Sequence, residues 1–291
     1  MIQSKGEKIF YTCNYILLTI IGILTLYPFW DVIRVSFSSA ADANNMAFTL
    51  WPREFSLDAY KKVLNNQFIW IGYKNTIVRI VVGMSIQMTL MVMVAYPLSK
   101  KYFPHKGFWT MLVVFTMFFN GGLIPNYLLI RSLHIDNTMW ALVLPRAIDT
   151  FALIIMRNYF LTIPESLEEA AKIDGASDVK ILTRIYLPLA KPIIFTVLLW
   201  GTVGYWNEWF ECLIYIRDEQ KFVLQSILRK IIIDASPNFA EIGGGNTSAA
   251  DTSVEVVKAA TIMVSTLPIL VIYPFIQKHF VSGITMGSVK G

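Results

Sequence analysis

Long apolar segments alternate with short polar segments along most of the chain. Each apolar segment reaches the length of about 20 residues that a helix needs to cross the hydrocarbon core of a bilayer. The pattern therefore predicts an all-α membrane protein with six transmembrane helices, in a single domain across residues 1–291. The six apolar segments are residues 9–30, 71–96, 108–130, 139–160, 192–216 and 256–277.

The first apolar segment has a second interpretation, as the core of a secretory signal peptide. Ser38, Ser39, Ala40 and Ala41 resemble the small residues of a cleavage site. However, the apolar run of residues 9–30 exceeds the 7–15 residues, roughly, that are typical of a signal-peptide core. We therefore predict a retained first span.

The polar segment 100–106 indicates how the chain is oriented. It is short and carries Lys100, Lys101 and Lys106, and short basic loops lie on the cytoplasmic side. Alternation then predicts that both termini and the polar insert at 162–188 are cytoplasmic, and that a large loop at 217–255 is outside. Other outer segments also carry lysine and arginine, but longer segments cross the membrane with less regard to charge.

Three local patterns refine this topology. Asn120, Gly121, Gly122 and Pro125 predict a kinked or broken third span, because glycine and proline weaken a helix interior. Helical apolar spacing predicts short helices at 57–64 and 222–233 in the outer loops.

The fourth span carries two charged residues, Arg146 and Asp149. They are three residues apart, so on a continuous helix they share one face and are predicted to pair. A structural pair near the outer interface and a pair lining a solute pathway are both compatible with this position.

Composition agrees with a membrane protein. The chain is 55% hydrophobic and 15% charged, whereas soluble domains carry about 25% charged residues. The net charge of +5 comes from scattered basic residues, and without a recognition module we predict no nucleic-acid partner. Cys13 and Cys212 are predicted to lie near opposite membrane faces and therefore not to pair.

Catalytic chemistry within the chain is not indicated. The three histidines are far apart, so no metal site is predicted. We find no nucleophile with a base and no paired carboxylates in a catalytic arrangement. Gly243, Gly244 and Gly245 lack the lysine and hydroxyl residue of a phosphate-binding loop. We therefore predict that the chain is not an enzyme and holds no cofactor of its own.

The polar insert at 162–188 contains signals for two short helices. Pro164 suits a first helical position, and Ser166 and Glu169 have the spacing of a capping box. Gly175 is predicted to end the first helix, and Ser177 to cap a second helix that ends before Pro188. An amphipathic linker on the membrane surface would show similar features.

Glu169, Ala170 and Ala171 are followed, after three residues, by Gly175 and, after nine more, by Ile185, Leu187 and Pro188. This spacing resembles the EAA loop of ABC importer permeases, the cytoplasmic element that docks into the ATPase subunit. The whole chain resembles carbohydrate-importer permeases of the maltose-transporter type, and most closely the subgroup named for a lipoprotein-linked polysaccharide permease. Residues 118–125, 137–145, 163–171 and 205–209 support this wider resemblance. The resemblance assigns ATPase coupling to Glu169, Ala170, Ala171, Asp174, Gly175, Ile185, Leu187 and Pro188.

The resemblance also implies a type I ABC importer permease fold and a set of partners in the bacterial cytoplasmic membrane. These are a second permease in a heterodimer, two ATPase subunits that hold the ATP and Mg, and an extracytoplasmic solute-binding protein. Closure of the ATPases would move the helix around 169–174 and switch the cavity from inward-facing to outward-facing.

A polar and aromatic cluster suggests a solute pathway. Aromatic faces stack on sugar rings, and amides and carboxylates bond to hydroxyl groups. An interfacial aromatic belt would explain residues 206–211 equally well, and tight helix packing would explain residues 120–122. In the maltose system the sugar contacts lie mostly in the other permease, which argues against direct binding by this chain. The candidate pathway residues are Asn120, Tyr205, Trp206, Asn207, Glu208 and Glu211.

The leading hypothesis is a permease subunit of an ATP-driven importer for a sugar or oligosaccharide. One alternative is an ABC permease for peptides or amino acids. A second alternative is a gradient-driven secondary transporter, which would need a relay of buried ionisable residues such as Arg79, Arg146 and Asp149. A third is a membrane scaffold, for which the sequence offers no specific feature.

Overall fold

A computed structural model describes residues 5–43, 49–233 and 253–285. Throughout these ranges the chain is helical, apart from loops and one isolated antiparallel bridge between Ser38 and Phe55. Three helices are long and apolar enough to cross a membrane, and they confirm the first, second and sixth predicted spans. They are α1 (Lys5–Ser36), α4 (Gln67–Ser99) and α15 (Val254–Thr285).

The third predicted span is broken, as its glycines and proline indicate. Helices α5 (Lys106–Phe118) and α6 (Leu123–Ser132) meet at an angle of 109°. Asn120 stabilises the bend, since its Oδ1 accepts a hydrogen bond from the Gly122 N–H at 2.9 Å. Gly122 has a φ of +89°, which favours glycine at this position.

A second pair of helices is bent where the predicted fifth span begins. Residues Asp178–Leu189 meet α12 (Lys191–Asn207) at 78°. If each bent pair is counted as one crossing, the described part of the chain has up to five candidate spans, against six predicted.

The prediction of one continuous helix over residues 139–160 is wrong. The segment forms α7 (Trp140–Val143), a 3₁₀ turn and α8 (Thr150–Phe160). Pro145 supplies no backbone N–H, so it cannot continue α7. Asp149 is extended and caps α8 by accepting the Ala152 N–H at 3.0 Å.

The predicted pair between Arg146 and Asp149 is consequently also wrong. Because the chain is extended at Asp149, the two residues are not one helical turn apart. Arg146 instead bonds to Glu208, with Nη1 and Oε2 separated by 3.1 Å.

The predicted fifth span, residues 192–216, is likewise divided. Helix α12 ends at Asn207, Glu208 is extended, and α13 covers Phe210–Tyr215. The Glu208 carboxylate accepts the backbone N–H of Glu211 at 3.0 Å, and this bond favours a new helix start over continuation.

The helices predicted within the outer loops are present. They are α3 (Asp58–Asn65) and α14 (Leu224–Ile233). The structure adds two short elements that the sequence did not indicate, α2 (Ala40–Ala43) and a 3₁₀ turn at Glu219–Lys221. The glycine-rich part of the predicted loop at 217–255 lies outside the described residues.

The chain divides into two compact units, Met1–Ile69 with Leu228–Leu267 and Trp70–Ile227 with Pro268–Gly291. A single domain across 1–291 therefore stays a prediction. In the first unit, the end of α1 is fixed by aromatic packing. Phe37 stacks on Phe55 with ring centroids 5.4 Å apart, and the Ser36 and Tyr60 hydroxyls lie 2.8 Å apart.

The second unit has a core that joins α4, α8 and α12 to the polar insert. Its buried members include Met91, Ala95, Met156, Phe160, Ile181, Tyr186, Ile193 and Val197. A Cβ on Gly83 of α4 would lie 2.7 Å from Cζ of Tyr205 on α12, so these two helices approach each other closely there.

We expect Gly83→Val to destabilise the protein by about 1–3 kcal/mol, because the added atoms would displace the Tyr205 ring. The measurement is the thermal unfolding midpoint of the purified protein in detergent. Gly204→Ala on α12 is the matched control, since a Cβ there meets no atom within 4 Å. It should leave the midpoint unchanged or raise it. Equal midpoints for both variants would contradict the close packing.

Candidate functional site

The polar insert, residues 162–188, forms two helices separated by a glycine turn, as predicted. Helix α9 covers Glu165–Ile173 and α10 covers Asp178–Ile181. Gly175 has a φ of +77° and donates its N–H to the Lys172 carbonyl at 3.0 Å. A glycine with positive φ, whose N–H bonds to a carbonyl of the last helical turn, is typical of the position just after a helix C-terminus.

Details of the helix ends differ from the prediction. Pro164 is extended and lies at the N-cap position of α9, so the helix begins one residue later. The capping box of Ser166 and Glu169 is therefore not formed. Ser177 is at the N-cap of α10 as predicted, although its side chain makes no capping bond.

The second helix also continues past its predicted end. Residues Leu182–Tyr186 form a π-helical turn, and Pro188 lies in the first turn of α11 (Leu187–Leu189). Proline has no N–H to continue the regular helical hydrogen bonds, and the π-helical turn lies directly before it, where the Leu187 N–H bonds to the Leu182 carbonyl.

The insert exposes apolar side chains around its glycine turn. Ile173 is 87% exposed and Val179 is 71% exposed, and Leu167 on α9 is also exposed. A group of exposed apolar side chains on an otherwise polar element is typical of a surface that contacts another protein or a membrane. Among the predicted coupling residues, Glu169, Ala170, Asp174, Gly175 and Pro188 are exposed, whereas Ala171, Ile185 and Leu187 are half-buried.

The inward side of α9 carries a buried carboxylate, Glu168. Oε1 accepts hydrogen bonds from Lys172 at 2.8 Å and Tyr102 at 3.0 Å, and Oε2 accepts one from Tyr186 at 3.1 Å and one from Lys100. Burial raises the pKa of Glu168, but the bonds from Lys100, Lys172 and Tyr102 outweigh burial and hold the pKa at about 2. We call these five residues the Glu168 cluster.

The Glu168 cluster joins two segments that are far apart in sequence. Lys100 directly follows α4, and its ammonium lies 4.1 Å from the Tyr96 ring centroid and 3.6 Å from that of Tyr186. Lys101 and Glu165 form a second, exposed pair at 2.8 Å. Segment 100–106 and the insert therefore lie at the same end of the helices.

Sequence reasoning missed the roles of Glu168 and Lys100. Sequence patterns indicate Lys100 only as an orientation marker and do not single out Glu168. The sequence does predict that segment 100–106 and the polar insert lie on the same side of the membrane. Opposite charges there can pair, but the sequence does not show which ones.

A second cluster lies at the breaks in the predicted fourth and fifth spans. Arg79 on α4 is 0% exposed, and its Nη2 bonds to Glu211 Oε2 at 2.9 Å. Nη2 and Nε also donate to the Leu142 carbonyl, at 3.1 and 3.2 Å. Both Arg79 and Arg146 lie over the ring of Tyr205, 5.1 and 5.6 Å from its centroid.

Two arginines and two glutamates balance each other in this cluster. Besides its bond to Glu208, Arg146 lies with Nε 3.8 Å from Glu211 Oε1. We call Arg79, Arg146, Glu208 and Glu211 the arginine cluster. Charges buried at membrane depth are costly unless paired, and here each one has an opposite partner.

Several buried polar atoms near the arginine cluster have no hydrogen-bond partner among the described residues. They are Arg79 Nη1, Gln87 Oε1, the Tyr205 hydroxyl and Trp206 Nε1. Buried polar groups normally find a partner, so these atoms can offer bonds to water or to a solute.

The structure brings three of the six candidate pathway residues together, Tyr205, Glu208 and Glu211. Trp206 is buried beside Tyr73, with ring centroids 6.1 Å apart. Asn207 is exposed at the end of α12, and Asn120 is exposed at the α5–α6 bend. Their role in a pathway stays a prediction.

The central position of Arg79 was not predicted. The sequence showed only a charged residue inside an apolar segment, and such a residue needs a partner. Its partner Glu211 is far away in sequence, so only the folded chain identifies it.

Comparisons with known proteins agree with this geometry. Residues 69–286 match the family described as binding-protein-dependent transport system inner membrane component. Protein LplC of Bacillus subtilis (strain 168) is 40% identical over 291 residues, covering 100% of this chain and 98% of LplC. The polygalacturonan/rhamnogalacturonan transport system permease protein YtcP of the same organism is 40% identical over 288 residues, covering 98% and 99%.

A solved structure shows the same fold. It is a chain from the crystal structure of a bacterial ABC transporter involved in the import of the acidic polysaccharide alginate. The TM-score is 0.91 at 35% identity, covering 96% of this chain and 99% of that one. The predicted type I ABC importer permease fold is thereby confirmed. The chain belongs to the family of inner membrane components of binding-protein-dependent transport systems, the membrane permeases of ABC importers.

Proposed function

We propose that this chain is the permease subunit of an ATP-driven importer that moves a sugar or oligosaccharide across the bacterial cytoplasmic membrane. The observation that carries the proposal is the geometry of the polar insert. Its outer side exposes Leu167, Ile173 and Val179 around the Gly175 turn, while its inner side is held by the Glu168 cluster. An exposed surface on a firmly held element suits a docking site for a moving partner.

The partner at this surface is an ATPase subunit with an apolar groove. A short amphipathic helix such as α9 binds by placing its apolar side chains in a groove, and its charged residues set the orientation. Glu169 and Asp174 supply the charge, Ala170 permits close approach, and Gly175 shapes the turn. Ala171 and Ile185 pack against the core and fix the element to it, whereas Leu187 is half-buried and Pro188 is exposed. ATP and Mg belong to two such ATPase subunits.

Membership of the family supports the remaining partners of this proposal. A second permease completes a heterodimer, and an extracytoplasmic solute-binding protein delivers the solute to the outer loops, including the loop at 217–255. Both termini of this chain are cytoplasmic in this arrangement, on the side of segment 100–106 and the polar insert. Asn120, Tyr205, Trp206, Asn207, Glu208 and Glu211 supply polar groups to the solute pathway.

The relatives support a carbohydrate as the solute. YtcP is named for polygalacturonan and rhamnogalacturonan, and the solved neighbour is involved in the import of alginate. MdxG of Bacillus subtilis, 26% identical, is named for maltodextrin. Fragments of acidic polysaccharides are therefore the first solutes to test.

The proposal is tested by purifying the tagged chain from native membranes in mild detergent and identifying co-purifying proteins by mass spectrometry. We expect an ATPase, a second permease and a solute-binding protein. The binding protein is then screened against short oligogalacturonides, alginate oligosaccharides, maltodextrin and peptides. Recovery of the chain alone, together with uptake that follows a proton gradient and ignores ATP, would refute the proposal.

We expect Glu169→Lys to weaken ATPase co-purification by at least about tenfold, because reversing an interface charge creates a repulsive contact. Insertion into the membrane should be normal, since Glu169 is exposed. Glu255→Lys, an exposed charge reversal on α15, is the control and should retain the ATPase. Normal ATPase recovery with Glu169→Lys would exclude Glu169 from the docking surface.

A further inference from the structure

Two ion pairs connect the end of α4 to α9, and they differ in burial. The Lys101–Glu165 pair has side chains that are 78% and 54% exposed. The Lys100–Glu168 pair has side chains that are only 5% and 7% exposed. Exposed pairs contribute little to stability, so the buried pair is the stronger mechanical link between the two helices.

Three elements converge on the Lys100 ammonium. It contacts the Tyr96 ring from α4, the Tyr186 ring from the π-helical turn and the Glu168 carboxylate from α9. A buried ion pair often stabilises a fold no more than apolar residues of the same size would. Its more general effect is to fix one geometry, because any displacement separates opposite charges in a low-dielectric environment.

On α9, this ion pair lies next to the proposed docking surface. Glu168 faces inward, and the adjacent Glu169 faces outward on the proposed docking surface. At the other end, α4 runs as one continuous helix from Ser99 back through Arg79, which anchors the arginine cluster. At 1.5 Å per residue, Arg79 and Ser99 are about 30 Å apart along α4.

We propose that Lys100 and Glu168 are a positioning pair that transmits movement of α9 to α4, and through α4 to the arginine cluster. This inference rests on the proposed function, because it takes the ATPase as the source of the movement. The exposed pair of Lys101 and Glu165 does not carry the movement.

The test separates transmission from simple stabilisation. Removing one partner alone would leave an unpaired buried charge and destabilise the protein. The double variant Lys100→Met with Glu168→Gln removes both charges together, and Lys172 is exposed enough to remain solvated. Lys101→Met with Glu165→Gln is the matched control, because it removes the neighbouring pair between the same two segments.

The experiment is hydrogen–deuterium exchange on the intact importer with its co-purified ATPase, with and without ATP trapped by vanadate. In the wild type we expect trapping to change exchange both at residues 165–173 and at residues 96–106. In the double variant the change at 165–173 should persist, while the change at 96–106 should fall about tenfold. The control variant should behave as the wild type does.

Each outcome decides the proposal. A double variant that retains the response at 96–106, with or without a lower unfolding midpoint, would show that the pair is only structural. A wild type with no response at 165–173 would refute the ATPase docking site and this inference with it.

If the double variant does not assemble with the ATPase, a second variant provides the test. Glu168→Asp keeps the charge and retracts it by one methylene. It should weaken the response at 96–106 and leave the response at 165–173, and an undiminished response at 96–106 would overturn the proposal.

Discussion

Gly175→Val should reduce ATP-driven uptake by at least about tenfold while the chain still inserts into the membrane. Gly175 has a φ of +77°, a conformation that costs a residue with a Cβ about 1–2 kcal/mol and suits a β-branched residue least. A Cβ at this position meets no atom of this chain within 4 Å, so the strain within the chain comes from the backbone alone. Relief of the strain would reshape the turn and move α9 relative to α10.

The measurement is uptake of short oligogalacturonides into membrane vesicles that contain ATP, normalised to the amount of inserted protein. Gly175→Asn is the control, since asparagine tolerates the left-handed conformation. It should retain most of the uptake. If the valine variant transports normally, the shape of this turn does not matter for coupling.

Glu211→Leu should destabilise the protein by about 3–5 kcal/mol, the largest stability loss that we expect from one substitution. Arg79 is 0% exposed, and without Glu211 its guanidinium would keep the Leu142 carbonyl and the face of the Tyr205 ring but no opposite charge in direct contact among the described residues. The unpaired charge would remain buried. The reverse change, Arg79→Met, should cost less, because Glu211 keeps Arg146 at 3.8 Å.

The thermal unfolding midpoint in detergent measures this effect. The double variant Arg79→Met with Glu211→Leu should recover much of the loss, because it leaves no charge of the pair unpaired. If Glu211→Leu alone leaves the midpoint unchanged, or if the double variant unfolds earlier than both single variants, the pair is not the main partner of Arg79.

The sequence predicted the elements whose signals are local. Apolar length identified α1, α4 and α15, and the glycine in the polar insert identified the turn between α9 and α10. The break near Gly122 was also predicted, since glycine and proline affect only their own neighbourhood in the chain.

The breaks within residues 139–160 and 192–216 were missed for a physical reason. Both segments are apolar enough to be read as single spans, and hydropathy does not register a carboxylate that caps a new helix. Asp149 and Glu208 do so here. Once the helix is broken, helical spacing no longer applies, which is why the predicted pairing of Arg146 with Asp149 was wrong.

The same difference between local and long-range signals applies to the candidate sites. The residues of the polar insert were predicted because a motif holds them at fixed spacing. In the Glu168 cluster, Lys100 and Glu168 are 68 residues apart in the chain. In the arginine cluster, Arg79 and Glu211 are 132 residues apart. Pairs this distant depend on how the helices pack, and a single sequence does not specify that packing.

An unassembled copy of this chain would leave the bend between α5 and α6 uncovered. Asn120, Gly121 and Gly122 are exposed between apolar residues such as Phe118, which is 80% exposed. Lipid cannot satisfy the hydrogen bonds of irregular backbone, so such a bend is tolerated only against another protein or water. A copy made in excess would hold this bend against lipid at a cost in free energy. Assembly with a second protein would cover the bend, so the bend itself favours the assembled state over the isolated chain.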